Sequence, residues 1–385
     1  MSVIYLDNAA TTQMDERVLE EMLPFFRDQY GNASSIHTVG REANVAVEQA
    51  REKIAHYIGV EPAQVIFTSG ATESNNAVIK GVLRTTGKSH VVSTPVEHDA
   101  VRHPLQNLAE EGISTSNFSI DSQGCIEAGE LEKLINDQTG LVSVMYVNNE
   151  TGVVNPVPEI ARICRDKGIP LHSDTVQAFG KLPVRFDDLG ADFITLSGHK
   201  IHGPKGIGTL ILNPDAPWTP WMEGGSQERN RRGGTLNVPG IVGLGKALEL
   251  ASQEQEARYS YLDLLKGRLA AGLKDAFGDL VQINSEQAET SPHILNVSFP
   301  VGDGPQLDGE MLLLNLDTED ICVSNGSACT SGAIEPSHVL LATGMDEEVA
   351  KSSLRFSLSH LNSTEEMDMV VERLKAIIDR MMEVA

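Results

Sequence analysis

Lys200 is the residue whose surroundings most directly suggest covalent chemistry. It lies in a glycine-rich polar turn just after the apolar run Phe193–Ser197. A lysine there is poorly placed for a solvated surface role, whereas a lowered pKa would make its amine a Schiff-base nucleophile. His199 and His202 flank it, but no third ligand stands at a spacing that suits a metal. The turn therefore predicts a reactive amine and no metal site.

Asp174 precedes Lys200 by 26 residues, the length of one strand–helix–strand unit in a parallel sheet. The two side chains are therefore expected at the ends of neighbouring strands. A carboxylate there can pair with a protonated pyridine nitrogen and keep the ring an electron sink, and Gln177 can reach a ring hydroxyl. A helix cap is the alternative role for Asp174.

A phosphate-binding turn is predicted within Phe67–Asn76, where a strand ends in small hydroxyl and glycine residues and a helix starts near Thr72. Backbone N–H groups and the positive end of the helix dipole would converge on one point. A plain N-cap with a capping glutamate fits equally well. The turn lacks the Gly-Lys-Ser/Thr step of a Walker loop.

Three polar side chains are candidates for contacts with a ring or a substrate. His98 follows a strand-like segment and can stack on a flat ring or move protons, with a buried structural histidine as the alternative. Asn149 ends another strand and can hydrogen-bond a substrate. Arg355 lies in the half-buried strand Ser353–Leu358, where its cation needs an anion such as a substrate carboxylate.

Cys329 is the one cysteine predicted to be reactive. It lies in Val323–Gly332, a run of small polar residues that is expected to form a mobile, solvent-reachable loop. Cys125, Cys164 and Cys322 are expected to be free thiols. Four scattered cysteines without a Cys-x-x-Cys pair indicate neither a disulfide framework nor a closed zinc site.

Alternating strand and helix patterns position these residues and predict a mostly parallel α/β sheet with ligands at the carboxyl ends of the strands. The length of 385 residues suggests one large and one smaller domain. We predict a large domain over residues 13–258 and a small α+β domain formed by residues 1–12 and 259–385. Strands are predicted at Val65–Thr68, His90–Ser93, Leu141–Val147, Ile169–Ser173, Phe193–Ser197, Pro292–Ser298 and Asp320–Val323, and helices at Glu159–Lys167, 245–275, 336–342 and 364–384.

Composition argues against several kinds of partner. The net charge of −24 disfavours nonspecific binding to nucleic acid or to an anionic membrane, although Arg229, Arg231 and Arg232 form a local basic patch. The chain start lacks the features of a signal peptide, and no stretch approaches the ~20 apolar residues of a membrane span. We therefore predict a cytoplasmic protein with no membrane contact and no direct contact with nucleic acid.

The set of motifs strongly resembles the cysteine desulfurases of the NifS/IscS-like group, within the class V aminotransferase family of pyridoxal-phosphate enzymes of fold type I. The resemblance covers essentially the whole chain, and it is the order of the motifs that makes it specific. The motifs are Tyr5–Thr12, Tyr30–His37, Phe67–Asn76, Glu97-His98, Asn148–Glu150, Asp174–Gln177, Ser197–Lys200, Arg232–Thr235 and Ser327–Cys329.

The resemblance implies a mostly parallel seven-stranded sheet in the large domain and a role for each candidate. Lys200 would hold pyridoxal 5'-phosphate and then move protons, and Cys329 would attack the sulfur of L-cysteine to leave a persulfide and alanine. A homodimer would complete each phosphate site. The other implied contacts are Asp174 with the pyridine nitrogen, Gln177 with the ring oxygen, His98 with the ring face, Ala71, Thr72, Ser197, His199 and the partner subunit's Thr235 with the phosphate, and Asn149 and Arg355 with the substrate carboxylate.

The small polar run around Cys329 also resembles the long-loop type of desulfurase, which supplies sulfur for iron–sulfur cluster assembly and tRNA thiolation. A sulfur-acceptor protein, either a cluster scaffold or a thiolation carrier, is therefore the implied partner. The alternatives within the family are an aminotransferase, in which Cys329 would be incidental, and a selenocysteine lyase-like enzyme. The alternative from a different class is a non-catalytic scaffold that kept the fold.

Overall fold

The computed structural model describes residues 3–300, 307–326 and 335–384. The strands of this part are β1 (Ile4–Tyr5), β2 (Val65–Thr68), β3 (His90–Ser93), β4 (Ser114–Asn117), β5 (Thr139–Ser143), β6 (Leu171–Asp174), β7 (Phe193–Ser197), β8 (Gly208–Leu212), β9 (Gln282–Ile283), β10 (Ile294–Ser298), β11 (Ile321–Cys322) and β12 (Leu354–Ser357). The α-helices are α1 (Glu16–Arg27), α2 (Thr38–Ile58), α3 (Ala71–Thr86), α4 (Asp99–Glu110), α5 (Leu131–Leu134), α6 (Val157–Lys167), α7 (Phe186–Leu189), α8 (Gln227–Asn230), α9 (Val238–Gln253), α10 (Gln255–Phe277), α11 (Gly309–Thr318), α12 (His338–Ala342), α13 (Glu347–Lys351) and α14 (Thr364–Val384).

Seven strands form the central sheet, in the order β2-β8-β7-β6-β5-β3-β4. β8 runs antiparallel to both of its neighbours, and the other four pairings are parallel. The predicted α/β class with a mostly parallel seven-stranded sheet is confirmed. Because β6 and β7 are parallel neighbours, Asp174 and the turn that follows Ser197 lie at the same edge of the sheet, as predicted.

The central strands of the sheet are buried on both faces, which explains why strands such as β2 and β7 are mostly apolar instead of alternating strictly between apolar and polar residues. Along β2, Val65 and Phe67 pack on one face with side chains of α2, α6 and α9, whereas Ile66 packs on the other face with side chains of α3 and α4. A separate core joins Ile4 and Leu6 to side chains between residues 262 and 378. None of the helices in the described ranges is both long enough and apolar enough to cross a membrane.

The N-terminal segment lies beside the C-terminal part of the chain. β1 pairs in parallel with β11. The Ser357 N–H donates to the Leu6 carbonyl at 2.7 Å, and the Asn8 N–H donates to the Ser357 carbonyl at 3.2 Å. These bonds bring the residues after Leu6 to the edge of the sheet at which β6 and β7 end.

The predicted single helix over residues 245–275 is wrong, because the chain forms two helices separated at Glu254. Glu254 has φ −102° and ψ 6°, outside the helical region. Its carboxylate accepts from Arg17 at 2.8 Å and from Arg258 at 2.6 Å, contacts that hold the break in place. The strands predicted at Leu141–Val147 and Ile169–Ser173 are β5 and β6 with shifted ends.

Candidate active site

A cavity of about 640 Å³ lies beyond the carboxyl ends of β6 and β7. Nearly every predicted site residue lines it. Those residues are Ala71, Thr72, His98, Asn149, Asp174, Gln177, Ser197, His199, Lys200 and Arg355. Thr235 is exposed and does not line this cavity, and Cys329 lies outside the described residues.

The Lys200 amine is held at the wall of the cavity by the N-terminal segment. Its Nζ donates to the carbonyl oxygens of Ala9 and Ala10 at 2.6 and 2.7 Å. Burial first, and then the positive charge of Arg355, lower the pKa of Lys200 to about 8, whereas the negative charges of Asp7 and Asp174 act in the opposite direction. About a tenth of this amine is therefore neutral, and so nucleophilic, at pH 7, and about half at pH 8.

His199, beside Lys200, is a neutral hydrogen-bonding group rather than a cation. Its Nδ1 lies 3.2 Å from Thr11 Oγ1, and its backbone carbonyl accepts from Thr12 Oγ1 at 2.9 Å. Burial lowers the pKa of His199 to about 4, and the neighbouring charge of Lys200 acts in the same direction. The neutral ring has one nitrogen that donates and one that accepts.

The turn before α3 has the free donors that a phosphate requires. Gly70 takes the N-cap position without a side-chain cap, so the first N–H groups of this 16-residue helix have no capping oxygen. Gly70 has φ +155°, a conformation that side chains disfavour, and a Cβ there would come no closer than 4.0 Å to Ser197 Oγ. The helix N-terminus and the Ser197 hydroxyl therefore face the same open space, which fits a phosphate group.

The Asp174 carboxylate is oriented by two donors. Asn75 Nδ2 donates to Oδ2 at 2.7 Å, and the Val176 N–H donates to Oδ1 at 3.0 Å. Both bonds fix the orientation of the carboxylate at the edge of the sheet, where it can face a pyridine nitrogen. The sequence prediction missed Asn75, although a fully buried asparagine inside a helix is an unusual polar residue.

His98 and Gln177 also line the cavity, each with a fixed orientation. His98 Nδ1 accepts the Ala100 N–H at 3.0 Å as the N-cap of α4, and burial lowers the pKa of His98, so the ring is neutral with its proton on Nε2. Gln177 Nε2 donates to the Ala9 carbonyl at 2.9 Å, and Oε1 lies 3.2 Å from His293 Nε2. One amide N–H of Gln177 remains for a ring oxygen.

Arg355 and Asn149 present unused polar atoms. Arg355 Nη1 donates to the Asn149 carbonyl at 2.9 Å, and Nη2 donates to Asp7 Oδ1 at 2.8 Å. Arg355 Nε and Asn149 Oδ1 are buried without a partner among the described residues. When the Asn149 amide is turned by 180°, its nitrogen takes the place of Oδ1. Arg355 Nε and Asn149 Nδ2 can then both donate to one carboxylate. Sequence reasoning missed Asp7, which stands 348 residues from Arg355.

Thr235 follows a segment that an ion pair ties to the phosphate turn. Arg232 Nε and Nη2 donate to the Glu73 carboxylate at 2.8 and 3.0 Å, and Glu73 Oε2 also accepts the Ser69 N–H at 2.8 Å. This arrangement leaves Thr235 exposed on the surface of its own chain. Its predicted contact with a phosphate bound by a second subunit stays a prediction.

The chain is similar to known proteins in both sequence and structure. The family model Aminotransferase class-V matches residues 4–370. Cysteine desulfurase 2 of Trichormus variabilis is 44% identical over 382 residues, which is 99% of this chain and 94% of that protein. A solved structure described as a NifS-like protein has a TM-score of 0.91 at 38% identity, covering 98% of this chain and 100% of that chain.

A second solved structure, described as SspA in complex with cysteine, has a TM-score of 0.80 at 33% identity and covers 92% of this chain and 99% of that chain. These likenesses confirm the resemblance and the fold type predicted from the motifs. Since the family model spans almost the whole sequence and close relatives match it end to end, this chain belongs to the class-V aminotransferase family.

Proposed function

We propose that this chain is a pyridoxal-phosphate-dependent cysteine desulfurase, which converts L-cysteine to L-alanine through a persulfide on Cys329. The observation that carries the proposal is the convergence of Lys200, Asp174 and Arg355 on one cavity. A lysine with a lowered pKa, an oriented carboxylate and a guanidinium with a free N–H match the needs of an amino acid bound beside an aromatic cofactor. Relatives named cysteine desulfurase, at 41–44% identity, support the choice of reaction.

Enzymes of the class-V aminotransferase family depend on pyridoxal phosphate, and the residues of this cavity fit that group. The open helix N-terminus at Ala71 and the Ser197 hydroxyl would hold the phosphate, and Asp174 would face the pyridine nitrogen. His98 would lie against the ring. When bound, the cofactor supplies an electron sink for bonds broken at the substrate Cα.

The chain's own groups would bind the substrate and move its protons. Arg355 and Asn149 would hold the carboxylate of L-cysteine, which fixes the Cα within reach of Lys200. The Lys200 amine, partly neutral near pH 8, would accept and return the Cα proton. The Cys329 thiolate would then attack the substrate sulfur, so that the Cβ–S bond breaks, an S–S bond forms and alanine is released.

The remaining parts of the proposal concern assembly. The active unit would be a homodimer in which the partner's Thr235 completes the phosphate site, and a sulfur-acceptor protein would take the persulfide sulfur for iron–sulfur clusters or tRNA thiolation.

We also propose the division into a large domain over residues 13–258 and a small domain over 1–12 and 259–385. The separate core around Ile4, Leu6 and residues 262–378 supports that division. A cytoplasmic location completes the proposal.

An absorption spectrum before and after addition of L-cysteine tests the function. The loaded protein should show the near-ultraviolet and visible band of a lysine-bound cofactor, and L-cysteine should change that band and yield alanine and sulfide. Lys200→Ala should lose the band, whereas Cys329→Ala should keep it and lose sulfide release. Undiminished desulfuration by Cys329→Ala would overturn the mechanism, and a keto-acid product without sulfide would indicate an aminotransferase.

A further inference from the structure

Glu150 is a buried carboxyl group that the proposed chemistry does not use. Its residue is 2% exposed, and it directly follows Asn149 in the chain. The Glu150 N–H donates to Asn148 Oδ1 at 2.9 Å, and its carbonyl accepts from Asn296 Nδ2 at 3.1 Å. The backbone turn that carries Asn149 therefore also fixes the position of the Glu150 side chain.

One carboxylate oxygen of Glu150 accepts a hydrogen bond from Ser337. The Ser337 hydroxyl itself accepts the N–H groups of Val339 and Leu340 at 3.1 and 3.2 Å, at the start of α12. With its acceptor sites used in this way, the hydroxyl directs its single proton to Glu150 Oε2. Ser337 is thus held both by its own helix and by Glu150.

The same oxygen of Glu150 lies against Gly326. A Cβ added at Gly326 would stand 2.5 Å from Glu150 Oε2, and the backbone there has φ +95°, which favours glycine. The Gly326 N–H donates to Ser324 Oγ at 3.0 Å, and Ser324 pairs with the backbone of Arg355. The Glu150 carboxyl and the Gly326 backbone are therefore in direct contact.

Gly326 and Ser337 lie on either side of residues 327–334, the stretch that contains Cys329. We propose that Glu150 is a positioning residue: it holds both flanks of this stretch against the turn that carries Asn149. The Glu150 carboxyl would then fix the distance from Asn149, which binds the substrate, to Gly326 and Ser337, which flank the stretch that contains Cys329. The inference rests on the proposed function, because it gives Glu150 a role only if Cys329 receives sulfur.

Burial of Glu150 would be costly without compensation, and the structure provides it. Burial raises the pKa of Glu150, and the hydrogen bond from the Ser337 hydroxyl and the positive charge of Arg355 offset only part of that rise. Of these partners, Ser337 belongs to one of the two flanks that Glu150 contacts, so the hydrogen bond that compensates burial also ties Glu150 to that flank.

Single-turnover sulfur transfer to Cys329, followed by mass spectrometry, tests the inference. In Glu150→Ala, the cofactor band and its response to L-cysteine should remain, but the rate of transfer should fall roughly 10- to 100-fold, the scale expected for misplaced reacting groups. Ser337→Ala should show a similar fall, and the double variant should show little more. Glu150→Gln keeps an acceptor oxygen and the same size, and should transfer sulfur within about threefold of the native rate.

Glu366→Ala is the matched control, since Glu366 also accepts at a helix N-terminus, from the Ser363 N–H at 3.1 Å, but touches neither flank. It should lower stability and leave the transfer rate per loaded enzyme unchanged. Native transfer rates in both Glu150→Ala and Ser337→Ala would overturn the positioning role alone. Absence of transfer in the native enzyme would overturn the proposed function together with it.

Discussion

The rate at which the cofactor-free protein takes up pyridoxal phosphate should report the proton on Lys200, because only the neutral amine attacks an aldehyde. Burial lowers the pKa of Lys200 from 10.5 to about 8. At pH 8 about half of the amines are then neutral, compared with about 0.3% for an unperturbed lysine. The folded site therefore raises the reactive fraction roughly 150-fold at that pH.

Rapid mixing of the cofactor-free protein with pyridoxal phosphate, from about pH 6 to about pH 10, measures this midpoint through the band of the lysine-bound cofactor. The rate should rise with a midpoint near pH 8. Arg355→Gln should move the midpoint upward, because it removes a positive charge that disfavours the ammonium form. Asp7→Asn should move it downward, because it removes a negative charge that favours that form.

Lys200→Ala provides the control, since any pH dependence that it retains belongs to the cofactor and not to this amine. A midpoint close to 10.5 in the native protein would refute the account of Lys200 as a desolvated amine. So would shifts of the same sign in Arg355→Gln and Asp7→Asn, because the two residues carry opposite charges and act on the amine in opposite directions.

Two stability predictions follow from other buried charges. Lys181→Met should stabilise the fold by up to roughly 4–5 kcal/mol near pH 6, because burial lowers the pKa of Lys181 to about 7 and Nζ has no partner among the described residues. This gain in the free energy of unfolding should shrink as pH rises from about 7 to 10.5. Urea unfolding that gives the same gain at about pH 7 and at about pH 10.5 would contradict the prediction. Glu228→Ala should cost about 3–5 kcal/mol, because it removes the buried carboxylate that pairs with Arg51 and leaves that cation only Glu48 and the Val65 carbonyl, and a loss below about 1 kcal/mol would contradict it.

Most elements that carry their own apolar signal were predictable from the sequence, although β8, Gly208–Leu212, was missed. The predicted strands Val65–Thr68, His90–Ser93 and Phe193–Ser197 are confirmed residue by residue, because each is a short, fully buried segment that contains β-branched residues. β4, Ser114–Asn117, escaped prediction because it is a polar, mostly exposed strand at the edge of the sheet. The break at Glu254 escaped because it depends on contacts with Arg17, far away in the chain.

The site follows the same physical rule. Asp174 and Lys200 were predictable as neighbours because parallel strands end together, so their spacing along the chain determines their proximity in space. Asp7 and the Ala9 carbonyl were not, because the N-terminal segment reaches the site only through pairing with residues such as Ser357. Long-range pairing of this kind leaves no trace in the local sequence pattern.

The mass of the peptide that contains Cys329, measured after one turnover with L-cysteine, tests the central claim most directly. If Cys329 receives the sulfur, this peptide should gain the mass of one sulfur atom, a reductant should remove the gain, and one alanine should form for each sulfur bound. Alanine and free sulfide formed at the native rate while the Cys329 peptide stays unmodified would contradict it.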